Sequence, residues 1–196
     1  SIPPITITEP QQFQMVVDMA NVSDINCHGG NTGAVGVQII SAIPSGTTDL
    51  YPLVWTRPNG LFTPGTVGTV SALTALTDSG TYIAHVEQFL TGCTVPDISI
   101  KVREADEIVV TTTQNDSVTC FGGNDGLITI NVSGRPAGTP YTYSWSSSDP
   151  LFVPSNSPTI TNLRAGWYRV TVTAPAPNLC PVTPADIWVG ERPQLV

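Results

Sequence analysis

The sequence is poor in charged residues, and basic side chains are fewer than half as numerous as acidic ones. Only 11% of its 196 residues are charged. There are 7 lysines and arginines and 15 aspartates and glutamates, so the net charge is -8. The basic residues form no cluster, which leaves the chain without the electrostatic footprint of a protein that binds nucleic acid or an anionic membrane. We therefore expect no nucleic acid and no membrane insertion among its interactions.

Long helical patterns, long apolar runs and enzyme motifs are also missing. The sequence has no apolar run of the roughly 18 residues that a membrane-spanning helix needs. No long stretch keeps the helical period of 3.6 residues without an interruption by glycine, proline or β-branched residues. The 17 glycines and 18 prolines instead favour short strands separated by turns. No hydrolase, metalloprotease or nucleotide-binding motif occurs, so we predict no catalytic residues and no enzyme activity.

One stretch occurs twice, 93 residues apart. It reads Cys-His-Gly-Gly-Asn-Thr-Gly at 27–33 and Cys-Phe-Gly-Gly-Asn-Asp-Gly at 120–126. A glycine-dense turn is required where the backbone needs a positive φ, and a fixed period indicates repeated units. We predict a tandem array in which 1–10 is the last strand of a preceding repeat or an orphan pairing strand, 11–106 is the first repeat and 107–196 is the second.

The strand patterns inside each repeat indicate the fold. Alternation of apolar and polar residues over Leu127–Val132 is typical of a half-buried strand, and Trp55 and Trp145 lie on the third strand of their repeats. The Gly-x-Tyr sequences ending at Tyr82 and Tyr168 are similar to the tyrosine corner of immunoglobulin-like sandwiches. These features predict an all-β chain of two tandem immunoglobulin-like β-sandwich repeats.

Four cysteines fall two per repeat, and this distribution is typical of an oxidising compartment. The repeat selects the pairs Cys27–Cys93 and Cys120–Cys180 among three possible connectivities, and so predicts one disulfide in each repeat. Each bond would close a loop of roughly 60 residues. Four reduced, buried cysteines are the alternative. In both repeats a glutamate, Glu104 or Glu191, follows the second cysteine by 11 residues.

The second repeat resembles a known family. The resemblance is carried by Cys-Phe-Gly-Gly-Asn-Asp-Gly-Leu-Ile-Thr-Ile-Asn-Val-Ser-Gly from 120, by Pro-Tyr-Thr-Tyr-Ser-Trp-Ser from 140, by Leu-Arg-Ala-Gly-Trp-Tyr-Arg-Val-Thr-Val from 163, and by Cys180 with Glu-Arg-Pro from 191. This stretch is similar to the SprB repeat of large adhesins of gliding Bacteroidetes. The resemblance implies an extracellular, cell-surface protein, exported by type IX secretion and involved in adhesion and gliding motility. Residues 11–106 match more weakly, with Thr32 where the family has an acid.

Two local features suggest sites. Asn124 and Asp125 offer oxygen ligands for calcium in a tight turn, but one carboxylate is few for that ion, so a turn that caps its own backbone is the favoured interpretation. Apart from this calcium hypothesis we predict no metal and no cofactor. His28, adjacent to Cys27, suggests a thiol and its base, but Phe121 replaces it in the second repeat.

Two classes of function follow. The favoured one is a structural repeat that forms a semi-rigid stalk or filament, and its partners are neighbouring repeats of the same chain. The alternative is a carbohydrate- or protein-binding module, in which the loops at 43–50 and 146–158 or the exposed Trp167 and Trp188 bind a partner such as surface polysaccharide. Strand exchange between units is a further hypothesis, raised by the strand pattern at Ile5–Thr8.

Overall fold

The computed structural model describes residues 13–41, 52–65, 70–87, 92 and 94–194. The chain divides into two compact units, Ser1–Ala105 and Asp106–Val196, hereafter unit 1 and unit 2. The pattern predicted at 1–10 and the loop at 43–50 lie outside the described residues, so those hypotheses stay predictions.

Unit 1 is a sandwich of two antiparallel sheets. Its strands are β1 (Phe13–Val17), β2 (Gly33–Ser41), β3 (Leu53–Thr56), β4 (Phe62–Pro64), β5 (Val70–Leu76), β6 (Gly80–Val86) and β7 (Ile98–Val102), and one 3-10 turn covers Met19–Asn21. The strand orders are β1-β2-β5 in one sheet and β4-β3-β6-β7 in the other. Such non-sequential neighbours are typical of Greek-key sandwiches.

Unit 2 repeats this arrangement. Its strands are β8 (Val109–Asp116), β9 (Gly126–Ser133), β10 (Thr142–Ser147), β11 (Thr159–Leu163), β12 (Gly166–Thr173), β13 (Pro181–Val182) and β14 (Ile187–Val189). One sheet has the order β11-β9-β8, and in the other β12 pairs with β10, β13 and β14. The all-β sandwich predicted from the sequence is confirmed.

The core of each unit is built around a tryptophan and a tyrosine. Trp55 and Tyr82 are fully buried in unit 1, and Trp145 and Tyr168 occupy the same places in unit 2. Both tryptophans also donate a hydrogen bond from the indole nitrogen, in unit 1 to the Ser71 hydroxyl at 3.2 Å and in unit 2 to a backbone carbonyl. Burial of these large rings contributes to the hydrophobic stabilisation of each unit.

The tyrosine corner is present in both units. The phenol of Tyr82 donates to the carbonyl of Asp78 at 2.9 Å, and that of Tyr168 donates to the carbonyl of Arg164 at 2.9 Å. Burial raises the pKa of both phenols, so each stays a neutral donor near neutral pH. The bond fixes the turn that leads into the central strand of its sheet.

Removing the corner bond in unit 2 should destabilise the protein. Tyr168→Phe keeps the buried ring but leaves the Arg164 carbonyl without its donor, which should cost about 1 kcal/mol. Tyr143→Phe, at a half-buried phenol on β10, is the matched control and should change stability by less than about 0.5 kcal/mol. Urea denaturation of the full chain, followed by tryptophan fluorescence, measures both; equal losses would contradict the role given to the corner.

Candidate functional site: the cysteine turn of each unit

The repeated motif forms the same tight turn in both units. The amide of Gly30 donates to the carbonyl of Cys27 at 2.9 Å, and that of Gly123 donates to the carbonyl of Cys120 at 3.0 Å. The glycine before each, Gly29 or Gly122, has a φ of 68° or 70°. A side chain at that φ would be strained, which explains why the motif keeps glycine there.

In unit 2 this turn is fastened to the end of the unit. The amide of Val118 donates to the carbonyl of Gly190 at 2.8 Å, and Val118 and Glu191 form a parallel bridge. The amide of Gly122 donates to Oε2 of Glu191 at 2.8 Å. A carboxylate therefore holds the turn against the segment in which the chain leaves the unit.

Unit 1 contains the same arrangement. Ile25 exchanges two backbone hydrogen bonds with the segment after β7, donating to Arg103 at 2.8 Å and accepting from Ala105 at 2.9 Å. The amide of Gly29 donates to Oε1 of Glu104 at 2.7 Å. We call this set of contacts the terminal clamp: Ile25 and the Gly29 amide with 103–105 in unit 1, and Val118 and the Gly122 amide with 190–191 in unit 2.

The residue before the last glycine of the motif has one role in both units. In unit 2 Asp125 accepts from the backbone amide of Thr119 at 3.0 Å and from the Thr119 hydroxyl. In unit 1 the hydroxyl of Thr32 accepts from the corresponding amide, that of Asn26, at 2.8 Å. Threonine therefore replaces the acid without loss of the cap on this amide.

This cap bears on the calcium hypothesis for Asn124 and Asp125. Both carboxylate oxygens of Asp125 are engaged by Thr119, as expected of a turn that caps its own backbone. The part of the chain that the structure describes has no group of three or more histidine, cysteine, aspartate or glutamate residues placed to hold a metal ion. The calcium site therefore remains a hypothesis to which the geometry adds no support.

The predicted Cys120–Cys180 disulfide is wrong. Cys120 is a free, exposed thiol, whereas Cys180 is disulfide-bonded and almost fully buried. The two cysteines lie at opposite ends of the unit. The turn of Cys120 precedes the start of β9 at Gly126, and Arg135, just past the end of β9, donates to the sulfur of Cys180 at 3.8 Å. A strand of this length spans about 25 Å, and a disulfide requires Cα atoms within about 7 Å.

The same geometry speaks against the predicted Cys27–Cys93 bond. Cys27 is disulfide-bonded, and Cys93 lies outside the described residues. Thr94, the next residue, bridges Glu87 at the far end of β6, whereas the turn of Cys27 lies beside Glu104, beyond the opposite end of β7. The strand directions therefore exclude the predicted internal disulfide in unit 2 and argue against the one predicted in unit 1.

Cys27 is disulfide-bonded, so His28 has no neighbouring thiol to act on. Its Nδ1 atom lies 3.2 Å from Oε1 of Glu104, the oxygen that also accepts from Gly29. The histidine therefore adds to the terminal clamp of unit 1, and unit 2 has Phe121 at that place, 56% exposed.

An aromatic pair lies on the exposed face of unit 2. Trp167 and Trp188 are about half exposed, and their ring centroids are 5.0 Å apart with a tilt of 56°. On the same face the guanidinium of Arg169 binds the carboxylate of Asp186 at 2.6 and 2.9 Å, and these hydrogen bonds lower the pKa of Asp186. The two indoles pack on each other across β12 and β14, and each keeps an accessible side.

The fold and the cysteine turn define a class: a disulfide-containing β-sandwich repeat module. Within it, residues 110–150 match the sequence model of the SprB repeat, and the resemblance seen in the sequence is confirmed over that stretch. A search of curated proteins returned no significant match.

Several solved structures with two or more sandwich domains are similar to the chain. Three domains of the highly immunogenic outer capsid protein of bacteriophage RB49 are 15% identical, with a TM-score of 0.42, over 92% of this chain and 58% of theirs. A marsupial T cell receptor is 14% identical, with a TM-score of 0.44, over 94% and 75%. A two-domain fibronectin type III segment of chicken tenascin is 12% identical, with a TM-score of 0.34, over 92% and 100%. The chain thus spans little more than half of the three-domain phage structure that it matches.

The cap at Asp125 should make unit 2 sensitive to acid. The Thr119 hydroxyl and then the Thr119 amide lower the pKa of Asp125 below its ordinary value of 3.8. Its stabilisation is therefore present above pH 3.8 and is lost as the pH falls through the lowered pKa. Asp125→Thr, which copies unit 1, should lose less stability than the parent on acidification, although the acid-sensitive Asp186 remains in both.

Thermal melts of the full chain, at neutral pH and in steps below pH 3.8, measure this difference. Asp106→Thr replaces an exposed aspartate outside the turn and serves as the control. Identical acid profiles for Asp125→Thr and the parent would show that this carboxylate does not stabilise the turn.

Proposed function

We propose that this chain is a non-catalytic structural segment of a large secreted cell-surface adhesin, acting as a semi-rigid stalk in adhesion and gliding motility. The observation that carries the proposal is the terminal clamp, which occurs in both units with the same backbone and carboxylate contacts. A segment that transmits force needs its two ends joined inside each unit, and the clamp provides that joint.

The direction of the clamped segments determines how they respond to load. The bridges Ile25–Glu104 and Val118–Glu191 are parallel. One partner of each belongs to the first part of its unit and the other to the last part. When the chain is pulled from both ends, parallel partners are drawn in opposite directions along their length. Their hydrogen bonds are then loaded together in shear instead of opening one after another.

Additional contacts extend this joint. In unit 2 the side-chain amide of Asn115 donates to the carbonyl of Trp188 at 3.1 Å. In unit 1 the amide of Arg103 donates to Oδ1 of Asp24 at 2.8 Å. Because the cysteines of unit 2 do not close a loop inside it, resistance of that unit to unfolding rests on these contacts and on strand pairing.

The proposed location is extracellular. Disulfide-bonded Cys27 and Cys180 favour an oxidising compartment. No helix among the described residues is long and apolar enough to cross a membrane. The match to the SprB repeat over 110–150 supports the adhesin context.

Weakening the clamp of unit 2 should lower its mechanical resistance. Glu191→Gln removes the charge from the acceptor of Gly122, and for an exposed carboxylate this should cost about 1 kcal/mol, or about fivefold in the unfolding rate. Single-molecule pulling of the full chain from its two ends, under reducing conditions, should give one unfolding event per unit, with only the event of unit 2 shifted to lower force.

Glu107→Gln is the matched control because it neutralises an exposed glutamate outside the clamp, and it should leave both forces unchanged. If Glu191→Gln and the parent unfold at the same force, the clamp does not bear load and the stalk proposal loses its mechanical basis.

A binding module is the second candidate, and two surfaces of unit 2 favour it. The loop at 146–158 lines a cavity of about 420 Å³ together with Arg164 and Tyr168. Trp167 and Trp188 offer indole faces of the kind that stack on sugar rings. Carbohydrate is the ligand that suits these aromatic surfaces.

A glycan array probed with the full chain tests this candidate. Specific binding lost in Trp188→Ala but kept in Arg164→Ala would place a sugar on the aromatic pair, and the reverse would place it in the cavity. No binding to any glycan would contradict the carbohydrate-binding candidate.

A further inference from the structure

The first cysteine of each unit lies at the end where the chain leaves that unit, which we call the downstream end. In unit 1 the turn of Cys27 is held by Glu104, next to the last residue of the unit. In unit 2 the turn of Cys120 is held by Glu191, which follows β14. The terminal clamp therefore places both of these cysteine turns beside the outgoing chain.

The second cysteine of unit 2 lies at the other end, where the chain enters, which we call the upstream end. The carbonyl of Cys180 accepts from the amide of Ala174 at 3.0 Å, and its sulfur accepts from Arg135 at 3.8 Å. Gly134, next to that arginine, lies against the backbone of Glu107 near the start of the unit, so closely that a Cβ at Gly134 would fall 1.8 Å from the Glu107 carbonyl oxygen.

We infer that Cys120 is a covalent docking site for another repeat of this kind, and that it forms a disulfide with the second cysteine of that repeat. Downstream and upstream ends carry complementary cysteines, so the bond joins units head to tail. The inference rests on the proposed function only in taking the partner to be a further repeat.

An independent observation supports a partner for Cys120. Cys27 has the matching position in unit 1 and is disulfide-bonded. Thr94, the residue after the second cysteine of unit 1, lies at the opposite end of that unit. The two turns share the Glu–Gly hydrogen bond, the glycine φ and the cap on the amide before the cysteine. The position therefore forms a disulfide in one unit and is a free, exposed thiol in the other.

The turn of Cys120 is organised without that bond. Val118 is 1% exposed and anchors the chain two residues before the thiol, and Glu191 and Asp125 hold the residues on either side. The conformational entropy of ordering the thiol is therefore lost when unit 2 folds and not when a partner binds, which favours binding of the partner.

The reaction is a thiol oxidation with a small disulfide, such as oxidised glutathione, as the electron acceptor. The thiolate of Cys120 attacks one sulfur of that disulfide and releases one glutathione thiolate, which takes up a proton. The thiolate of the partner cysteine then attacks the mixed disulfide at the Cys120 sulfur and releases the second glutathione. Two thiols and one oxidised glutathione thus give one protein disulfide and two reduced glutathiones.

Two copies of the full chain provide the test. The second cysteines in this sequence are Cys93 and Cys180, and Cys180 is already bonded, so a copy docked on Cys120 should react through Cys93. Purified chain incubated with oxidised and reduced glutathione should form covalent oligomers on a non-reducing gel. Peptide mapping by mass spectrometry should find a dominant cross-link between Cys120 of one copy and Cys93 of another.

Two variants control for an ordinary surface thiol. Cys120→Ser should abolish the oligomers and leave the melting temperature unchanged. The double variant Cys120→Ser/Phe121→Cys moves an exposed thiol by one residue in the same turn, and it should lose the cross-link to Cys93 while still taking up glutathione.

Two results would overturn the inference: symmetric cross-links between two Cys120 residues as the main product, or a glutathione adduct of Cys120 with no cross-link. Neither result bears on the stalk proposal, which is tested separately by the unfolding force of Glu191→Gln under reducing conditions.

Discussion

A hydrogen bond from a glycine amide to a glutamate carboxylate joins the two ends of each unit. It connects the Cys-Gly-Gly turn, which precedes the second strand, to the segment that follows the last strand. The glycine is required because the turn needs a positive φ, and the buried Ile25 or Val118 fixes the start of the turn. Turn, final strand and chain exit thus form one element, and the mechanical and covalent proposals both depend on it.

Much of the fold could be predicted because its signals are local. Alternation marked the longer strands, the Gly-x-Tyr sequences marked the corners at Tyr82 and Tyr168, and the repeated motif marked the two sandwiches. The two-residue β13 and the three-residue β4 carry no such signal, because strands this short cannot show a period of two residues. Their pairing is decided by neighbouring strands that the local sequence does not specify.

The cysteine pairing could not be predicted, because it depends on where strands begin and end in space. Two cysteines per repeat suggested one bond per repeat, but β9 separates Cys120 from Cys180 by its whole length. The terminal clamp did leave a signal: both glutamates follow the second cysteine by 11 residues. That spacing identified Glu104 and Glu191 as equivalent without indicating that they bind the glycine turn. The shared role of Thr32 and Asp125 was likewise hidden, because a hydroxyl and a carboxylate look unrelated in sequence.

Hydrogen exchange of individual amides, read by NMR, tests the central claim most directly. If the carboxylates hold the turns, the amides of Gly29 and Gly122 exchange far more slowly than in an unfolded peptide, and Glu104→Gln and Glu191→Gln each accelerate exchange only in their own unit. Exchange of both glycine amides at unfolded-peptide rates in the parent protein would contradict the clamp and the account built on it.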